Sequence, residues 1–358
     1  MYKKLFIPGP THVREEILQA QTAPMIGHRA KEYSNLQGEV RPKLQQLLYT
    51  QQPVLIFASS GTGVMEGSIR QAVRPGKRAL VTVCGAFSKR WFEVAQGNGI
   101  PTDYIEVEWG LGFRPEQVVE ALGKGDYDTL TLTLNETSTG IQNPVAEIAA
   151  AVRAAYPEIV ILVDAVSAMA GVKIEFDAWD VDCVLASSQK CFALPPGLAV
   201  AAVSERMLKR AGEVPGRGYY FDFLDNLKYW KKDQTPATPA VSLIYALNKQ
   251  MDDILAEGLE NRWARHLEMA GIVQAWGRKY WKLFAADEFL SPTVTTITNT
   301  RGISVSDLNK ALGERGATIS NGYGDLKEKT FRIATMGDLT VADINWLLSE
   351  IDDILGLA

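Results

Sequence analysis

Two apolar runs with polar ends, VILVDAV (160–166) and DCVLASSQKCF (182–192), decide the fold of this chain of 358 residues. Each run predicts a buried β-strand, the first ending at Asp164 and the second leading to Lys190. Near-continuous apolar runs are typical of parallel strands that are covered on both faces. Because the carboxyl ends of parallel strands meet at one edge of a sheet, we expect Asp164 and Lys190 to lie close together.

The neighbouring segments extend the same pattern. Apolar runs that predict strands lie at 54–58, 79–83, 103–107, 129–134, 159–163, 182–186 and 198–203. Helical patterns lie between most of these runs, and such alternation indicates βαβ units. The sequence therefore predicts an α/β fold with a large, mostly parallel seven-stranded sheet.

The two ends of the chain follow different patterns. IPGPT (7–11) predicts an irregular arm, and a polar helix is expected around 34–49. After residue 203 come an aromatic, proline-rich connection (215–239), long amphipathic helices (241–282) and a final stretch of mixed strands and helices. At this length one core is not enough, so we expect more than one domain. The predicted division is an N-terminal arm (1–16), a large cofactor-binding domain (17–245) and a smaller C-terminal α+β domain (246–358).

Composition narrows the class of protein. A net charge of −5 without a basic run argues against a nucleic-acid partner or an acidic membrane surface. Cys84, Cys183 and Cys191 form no short-spaced pair, which indicates a reducing compartment, and the three histidines lack metal-ligand spacing. No segment reads as a signal peptide or a membrane span, so we expect a cytoplasmic protein without a metal site.

Residues that follow the other predicted strands should join the acid and the lysine at the same edge. Ser60, Gly61 and Thr62 follow the run at 54–58 and open a helix, whose free N–H groups suit a phosphate. A simple N-cap with glycines for a tight turn explains the same residues. The segment has neither the G-x-G-x-x-G spacing of a dinucleotide site nor the Gly-Lys-Ser/Thr of a P-loop.

These residue types fit one cofactor, pyridoxal 5'-phosphate. A lysine can form a Schiff base with its aldehyde, and an acid can keep its pyridine nitrogen protonated, so that the ring accepts electrons from the substrate α-carbon. Lys190 precedes the apolar segment CFALPPG (191–197), and apolar neighbours disfavour the charged form of a lysine and make it nucleophilic. Phe87 stands where a ring could stack on a flat cofactor, with ordinary packing as the alternative.

Arg332 is a lone arginine in the apolar segment FRIATMG (331–337). A buried guanidinium needs a partner, and a substrate carboxylate held by two parallel hydrogen bonds would be one. A structural salt bridge would be another, and the residues alone leave both open.

The chain resembles the class V aminotransferases of pyridoxal-phosphate fold type I, specifically the alanine/serine–glyoxylate (serine–pyruvate) group. The segments that carry the resemblance are IPGPT (7–11), SSGTGVMEG (59–67), GAFSKRW (85–91), NETSTGIQNP (135–144), LVDAVSAMAG (162–171), SSQKCFALPPG (187–197), TPATPAVSLIYAL (235–247), GLENRWARH (258–266) and FRIATMG (331–337). They span nearly the whole chain in the order of the family. Relatives often have Trp at the stacking position, where this chain has Phe87.

The resemblance implies a role for each matching residue. Lys190 would carry the Schiff base and Asp164 would pair with the pyridine nitrogen. The other cofactor-binding residues would be Ser60, Gly61, Thr62 and Gln189 at the phosphate, Thr137 at the ring hydroxyl, Phe87 by stacking, and Thr235 and Thr238 at the phosphate of a neighbouring subunit. Gly9 and Arg332 would bind the substrate, Arg332 through its carboxylate.

The resemblance further implies a homodimeric aminotransferase whose substrates are small amino acids and 2-oxo acids. It would move an amino group from alanine, serine or aspartate to glyoxylate or pyruvate, and Lys190 would also carry the proton from the α-carbon. One alternative is a phosphonate- or phosphoserine-type transaminase, with His28, Arg29 or Arg217 at an extra anion. The others are a cysteine desulfurase-like enzyme, which needs a reactive cysteine, and a cofactor-binding subunit without turnover.

Overall fold

The structure is a computed structural model, and it describes residues 3–357. The strands in chain order are β1 (Lys4–Phe6), β2 (Val54–Phe57), β3 (Arg78–Val83), β4 (Thr102–Glu106), β5 (Tyr127–Thr133), β6 (Asn135–Glu136), β7 (Ile141–Gln142), β8 (Val160–Asp164), β9 (Cys183–Ser187), β10 (Ala199–Val203), β11 (Lys282–Leu283), β12 (Val294–Thr298), β13 (Ala317–Asn321) and β14 (Thr330–Ala334). The helices are α1 (Glu15–Ala20), α2 (Lys31–Leu47), α3 (Gly61–Arg70), α4 (Ala86–Gly97), α5 (Pro115–Leu122), α6 (Val145–Ala155), α7 (Phe176–Trp179), α8 (Glu205–Glu213), α9 (Phe223–Trp230), α10 (Val241–Glu257), α11 (Leu259–Tyr280), α12 (Val305–Glu314) and α13 (Val341–Leu355).

The large sheet has seven strands in the order β2-β10-β9-β8-β5-β3-β4. All neighbours from β9 to β4 are parallel, and β10 alone runs against its two neighbours. The predicted seven-stranded, mostly parallel sheet is therefore confirmed. The strands β2, β3, β5, β8 and β9 consequently end at one edge, and this edge carries the site described below.

Burial on both faces explains the continuous apolar runs. In β8, Val160 and Leu162 belong to the apolar cluster on one face, whereas Ile161 and Val163 belong to the cluster on the other. Successive side chains of a strand point to opposite faces, so every side chain of a strand between two cores is buried and apolar residues are favoured throughout. Asp164, the last residue of β8, pairs with Leu185 of β9, and β9 ends two residues later at Ser187. The acid therefore lies at the edge of the sheet, near the turn that follows β9.

The second sheet has five strands in the order β1-β13-β14-β12-β11. Its first strand comes from the N-terminus, where Lys4 pairs with Ala317 in parallel. The three-residue strand β1 was not predicted, because a run of this length carries no usable periodicity. The segment IPGPT (7–11) that follows it is irregular, as expected, and runs from the second sheet to the edge of the first.

The connection at 215–239 differs from the prediction, since it contains the helix α9. Asp222 caps this helix by accepting hydrogen bonds from Leu224 N at 2.9 Å and Asp225 N at 3.3 Å. The aromatic residues and the prolines at both ends hid the helical pattern, although an aspartate before an apolar run is a recognisable N-cap signal. Within residues 3–357, no helix combines the length and the apolar character that crossing a membrane requires.

Candidate active site

A cavity of about 380 Å³ opens at the carboxyl edge of the large sheet. This volume lies within the range of small-molecule sites. The predicted site residues that line it are Gly9, Ser60, Gly61, Thr62, Phe87, Thr137, Asp164, Gln189 and Lys190. The chain thus brings together residues from five separate strand ends and from the N-terminal arm.

The N-terminal arm holds the loop that carries Lys190. Thr11 donates twice, from its N–H to Gln189 O and from its hydroxyl to Lys190 O, each at 3.0 Å. The ammonium of Lys190 donates to Pro8 O. Gly9 lies against the lysine with φ +103°, and a Cβ there would be 2.6 Å from Lys190 Cδ. A glycine is required at this position because both the backbone angle and the close approach exclude a side chain.

Lys190 and Asp164 are both buried, and burial shifts their pKa values in opposite directions. Burial, with a smaller contribution from the positive charge of Arg332, lowers the pKa of Lys190 to about 8. Burial raises the pKa of Asp164 to about 7, and the negative charge of Glu136 acts in the same direction. Both groups lose hydration, which penalises the charged form of each. Near pH 8 about half of the lysine is therefore present as a neutral amine.

Asp164 has a local role that the sequence did not indicate. Its Oδ1 accepts the N–H of Val166 at 2.8 Å, which orients the carboxyl at the end of β8. A raised pKa persists despite this bond, so the carboxyl is left without a strong cationic partner. A protonated ring nitrogen would supply that partner.

The helix that Ser60, Gly61 and Thr62 were predicted to open is α3, which begins at Gly61. A Cβ on Gly61 would be 2.7 Å from Val166 Cγ2, so the close packing of the helix start against the β8 end requires glycine. The first turn lines the cavity together with Ser60 and Thr62. Arg90 Nη1 lies 3.5 Å from Thr62 Oγ1 and adds positive charge to the helix N-terminus. This end of the cavity suits a phosphate.

Glu136 is a buried acid at this edge that sequence reasoning missed. Its carboxylate accepts the N–H groups of Phe87 at 3.1 Å and Ser88 at 2.7 Å, and both the N–H and the hydroxyl of Ser138 at 3.0 and 2.7 Å. It therefore satisfies free donors at the start of α4 from a different part of the chain. A local capping pattern could not have revealed it, because the two segments lie about fifty positions apart.

Phe87, Arg90 and Tyr323 form a cluster over the cavity. The rings of Phe87 and Tyr323 are 4.8 Å apart between centroids, and the guanidinium of Arg90 lies 4.7 Å from the Phe87 centroid. The ammonium of Lys190 is 5.9 Å from the same ring. Phe87 was predicted, whereas Arg90 and Tyr323 were not singled out, since nothing local in GAFSKRW or NGYGD marks them.

Two polar atoms on the cavity wall make no hydrogen bond to the described part of the chain. Ser187 Oγ and Asn135 Oδ1 are buried and accept or donate no hydrogen bond within residues 3–357. Thr137 Oγ1 lies 2.5 Å from Ser167 Oγ, which also lines the cavity. Buried polar groups normally have partners, so these walls fit a polar aromatic ligand such as pyridoxal phosphate. Within the same residues, no group of His, Cys, Asp and Glu is placed to hold a metal ion.

Arg332 lies next to the cavity in β14, with its side chain buried. It donates to Asn321 O from Nε and Nη2 at 3.1 and 3.0 Å, and from Nη1 to Thr137 O at 3.2 Å. A guanidinium has five N–H donors, so one donor on each terminal nitrogen is left over. The described part of the chain provides no ion pair for it, and burial lowers its pKa to about 10. A structural salt bridge, the alternative reading, is not found there.

Thr235 and Thr238 do not meet the other predicted residues within one chain. They line a separate surface depression with Tyr220. The hydroxyl of Thr235 donates to Ala237 O at 2.7 Å, whereas Thr238 is exposed. Arg29 donates to Thr235 O at 2.5 Å and fixes this segment.

Two of the cationic residues that an extra anion would need are engaged, and the three cysteines that a desulfurase would need are buried. Arg29 binds the segment just described, and Arg217 pairs with Asp222 at 2.9 Å. The three cysteines, Cys84, Cys183 and Cys191, are buried, and burial raises the pKa of each thiol, to about 12 in Cys84 and Cys191. A reactive cysteine needs an exposed thiolate, so these thiols are unsuited to that chemistry.

Comparisons with known proteins agree with this geometry. The family model for class-V aminotransferases matches residues 12–327. The chain is 37% identical to an aminotransferase of Methanocaldococcus jannaschii, over 94% of this chain and 88% of the relative. It is 33% identical to an L-aspartate–glyoxylate aminotransferase of Paracoccus denitrificans, over 94% and 87%. The crystal structure of an alanine–glyoxylate aminotransferase from Nostoc superposes with a TM-score of 0.93 at 28% identity, covering 99% of this chain and 96% of that one.

The extent of these matches and the clustering of a lysine, an acid and a helix N-terminus at one sheet edge lead to one conclusion. The chain belongs to the class-V aminotransferase family and is a transaminase that depends on pyridoxal phosphate.

Proposed function

We propose that this transaminase moves the amino group of a small L-amino acid, namely alanine, serine or aspartate, to glyoxylate or pyruvate. The observation that carries the proposal is the convergence of Lys190 and Asp164 at one cavity, with Arg332 bonded to Thr137 of the cavity wall. The names of the relatives, an aspartate–glyoxylate and an alanine–glyoxylate enzyme, support the same substrate class.

Bound pyridoxal phosphate supplies an electron-accepting ring that stabilises negative charge on the substrate α-carbon. The other steps of the reaction are assigned to side chains of the protein. Lys190 binds the cofactor through its amine and then takes and returns the α-proton, for which a pKa near 8 is suitable. Asp164 holds a proton at the pyridine nitrogen. Arg332 holds the substrate carboxylate with its two spare N–H donors, and Gly9 leaves space beside the lysine.

The remaining assignments concern cofactor binding. Phe87 stacks on the ring and Thr137 binds near the ring hydroxyl. The phosphate is held by Ser60, Gly61, Thr62 and Gln189. The position of this set around one cavity, with the α3 N-terminus at one end, supports these roles.

We propose further that the enzyme is a cytoplasmic homodimer in which Thr235 and Thr238 reach the phosphate of the partner. The exposure of Thr238, and the place of both threonines outside the lining of their own chain's cavity, support a shared site. We also propose that the chain divides into an N-terminal arm (1–16), a large domain (17–245) and a small domain (246–358).

A donor-by-acceptor panel tests the proposed function. The holoenzyme is mixed with single amino acids, and the visible absorbance band of the bound cofactor is followed. Alanine, serine or aspartate should remove the band, and glyoxylate or pyruvate should restore it. Release of sulfide from cysteine, exclusive use of phosphoserine, or a band that no amino acid changes would each contradict the proposal.

A further inference from the structure

We propose that Tyr323 closes the side-chain end of the substrate pocket and restricts donors to short side chains. The inference rests on the proposed function, because it concerns the same pocket. It adds a specificity-determining residue that neither the motifs nor the comparisons indicate.

Tyr323 lies between the residue proposed to stack on the cofactor and the residue proposed to bind the substrate carboxylate. Its ring is 4.8 Å from that of Phe87, the proposed stacking residue, and 5.8 Å from the guanidinium of Arg332, the proposed carboxylate ligand. It also lines the cavity. A substrate held by its carboxylate at Arg332 with its α-carbon near Lys190 therefore has the Tyr323 ring beside it.

Tyr323 stands at the mouth of the cavity. Its exposed fraction is 37%, whereas Arg332 is only 7% exposed and Lys190 9%. One part of the ring thus contacts the pocket and the other meets solvent. A side chain that grows beyond the pocket must displace this ring.

The backbone around Tyr323 is built to keep the ring in place. A Cβ on Gly322 would be 1.9 Å from Leu326 O, so the backbone packs closely before the tyrosine, and Gly324 after it has φ +55°, an angle that favours glycine. Asn321 Oδ1 accepts the N–H groups of Gly322 and Glu328, each at 2.8 Å. The carbonyl of the same asparagine accepts two bonds from Arg332, which links the loop to the carboxylate ligand.

The hydroxyl of Tyr323 makes a separate contact. It accepts a hydrogen bond from Arg90 Nη2 at 3.2 Å. Within residues 3–357 Arg90 forms no ion pair, so this bond also fixes where its charge lies. Replacing Tyr323 by phenylalanine removes the hydroxyl contact and keeps the ring, which separates the two effects.

The test is the binding of unreactive carboxylates to the holoenzyme. Acetate, propanoate, butanoate and hexanoate are titrated by calorimetry into the natural enzyme and into Tyr323→Ala, Tyr323→Phe and Tyr323→Trp. One methylene too many in a fitted pocket costs roughly 10- to 200-fold. We expect the natural enzyme and Tyr323→Phe to discriminate against hexanoate, and Tyr323→Ala to lose at least about tenfold of that discrimination. Tyr323→Trp should discriminate more strongly than the natural enzyme.

The same variants are then compared in kcat/KM for norvaline relative to alanine, and the ratio should rise about tenfold or more in Tyr323→Ala. Equal discrimination in the natural enzyme and Tyr323→Ala would overturn the inference, as would its loss in Tyr323→Phe. Binding that follows the expected order without any amino acid changing the cofactor band would overturn the proposed function instead, and leave the role of Tyr323 standing.

Discussion

Lys190 and Asp164 are buried side chains that line the same cavity, and their pKa values, about 8 and about 7, lie closer together than in water. The charged form of each side chain is destabilised at neutral pH, because burial removes the water that would stabilise the charge. Shifted pKa values of this kind are typical of functional sites, where a bound ligand supplies the interactions that burial removed. At the residue scale the site is therefore incomplete without a partner for the acid.

The raised pKa of Asp164 predicts a pH-dependent difference in stability between the cofactor-free enzyme and its Asp164→Asn variant. An acid whose pKa rises from 3.8 to about 7 on folding binds its proton more tightly in the folded state. Stability is therefore lost as the pH rises through this interval, and the loss, on the order of a few kcal/mol, is complete above it. The amide has no such loss. Urea unfolding of the cofactor-free forms should show the variant to be more stable at a pH of about 8.5, and the difference should shrink below a pH of about 4.

A stability difference that is the same at both pH values would contradict this account of Asp164. With cofactor bound, the same variant should keep the cofactor but lose most of its turnover, because a neutral amide does not hold the pyridine nitrogen protonated.

Arg332→Lys should weaken substrate binding and leave the cofactor in place. A lysine cannot reproduce the two parallel bonds, and losing one charge-assisted bond costs roughly 1.5–3 kcal/mol, or about 10- to 100-fold in affinity. The measurement is the dissociation constant of the amino-acid donor, beside the visible spectrum of the enzyme. Arg301→Lys, an exposed arginine between β12 and α12, is the matched control. Loss of cofactor with unchanged donor affinity would show that Arg332 serves the cofactor site.

At the scale of elements, the start of α4 depends on Glu136. Glu136→Gln places an amide, itself a donor, against backbone donors, so the free energy of unfolding should fall by about 1–3 kcal/mol. Urea unfolding measures this, with Glu120→Gln as control, since that glutamate is 72% exposed and solvent weakens its pair with Lys124. Equal effects of the two substitutions would mean that Glu136 does not hold the helix start.

The elements also show what a sequence can and cannot predict. Asp164 and Lys190 were predictable because each follows an apolar strand, and parallel topology then brings strand ends together. Glu136, Arg90 and Tyr323 were not, because their contacts join segments that are distant in sequence.

At the scale of the whole molecule, the N-terminal segment joins the two sheets. It enters the second sheet at β1 and then covers Lys190 at the edge of the first, through the bonds of Thr11. Arg262, buried in α11, adds a second connection by donating to Ala170 O and Cys191 O at 2.8 Å each, beside the loop that carries Lys190. The position of Lys190 is thus set from both ends of the chain.

The proposed shared site predicts complementation between two inactive variants. A mixed dimer of Lys190→Ala with Thr235→Ala/Thr238→Ala contains one site with both defects and one with the intact lysine and intact threonines. Subunit exchange should therefore restore activity in the mixture. Absence of rescue although exchange has occurred, or a fully active monomer in sedimentation, would contradict a shared site.

The central claim is that Lys190 is the residue through which the enzyme binds its cofactor and moves the α-proton. The most direct measurement is the turnover of Lys190→Ala with alanine and glyoxylate, beside Lys89→Ala, which alters an exposed lysine of α4. Proton transfer by a positioned side chain contributes roughly 10²- to 10⁴-fold, so the account predicts at least that loss of turnover for Lys190→Ala. The turnover of Lys89→Ala should be unchanged. Near-normal turnover in Lys190→Ala would contradict it.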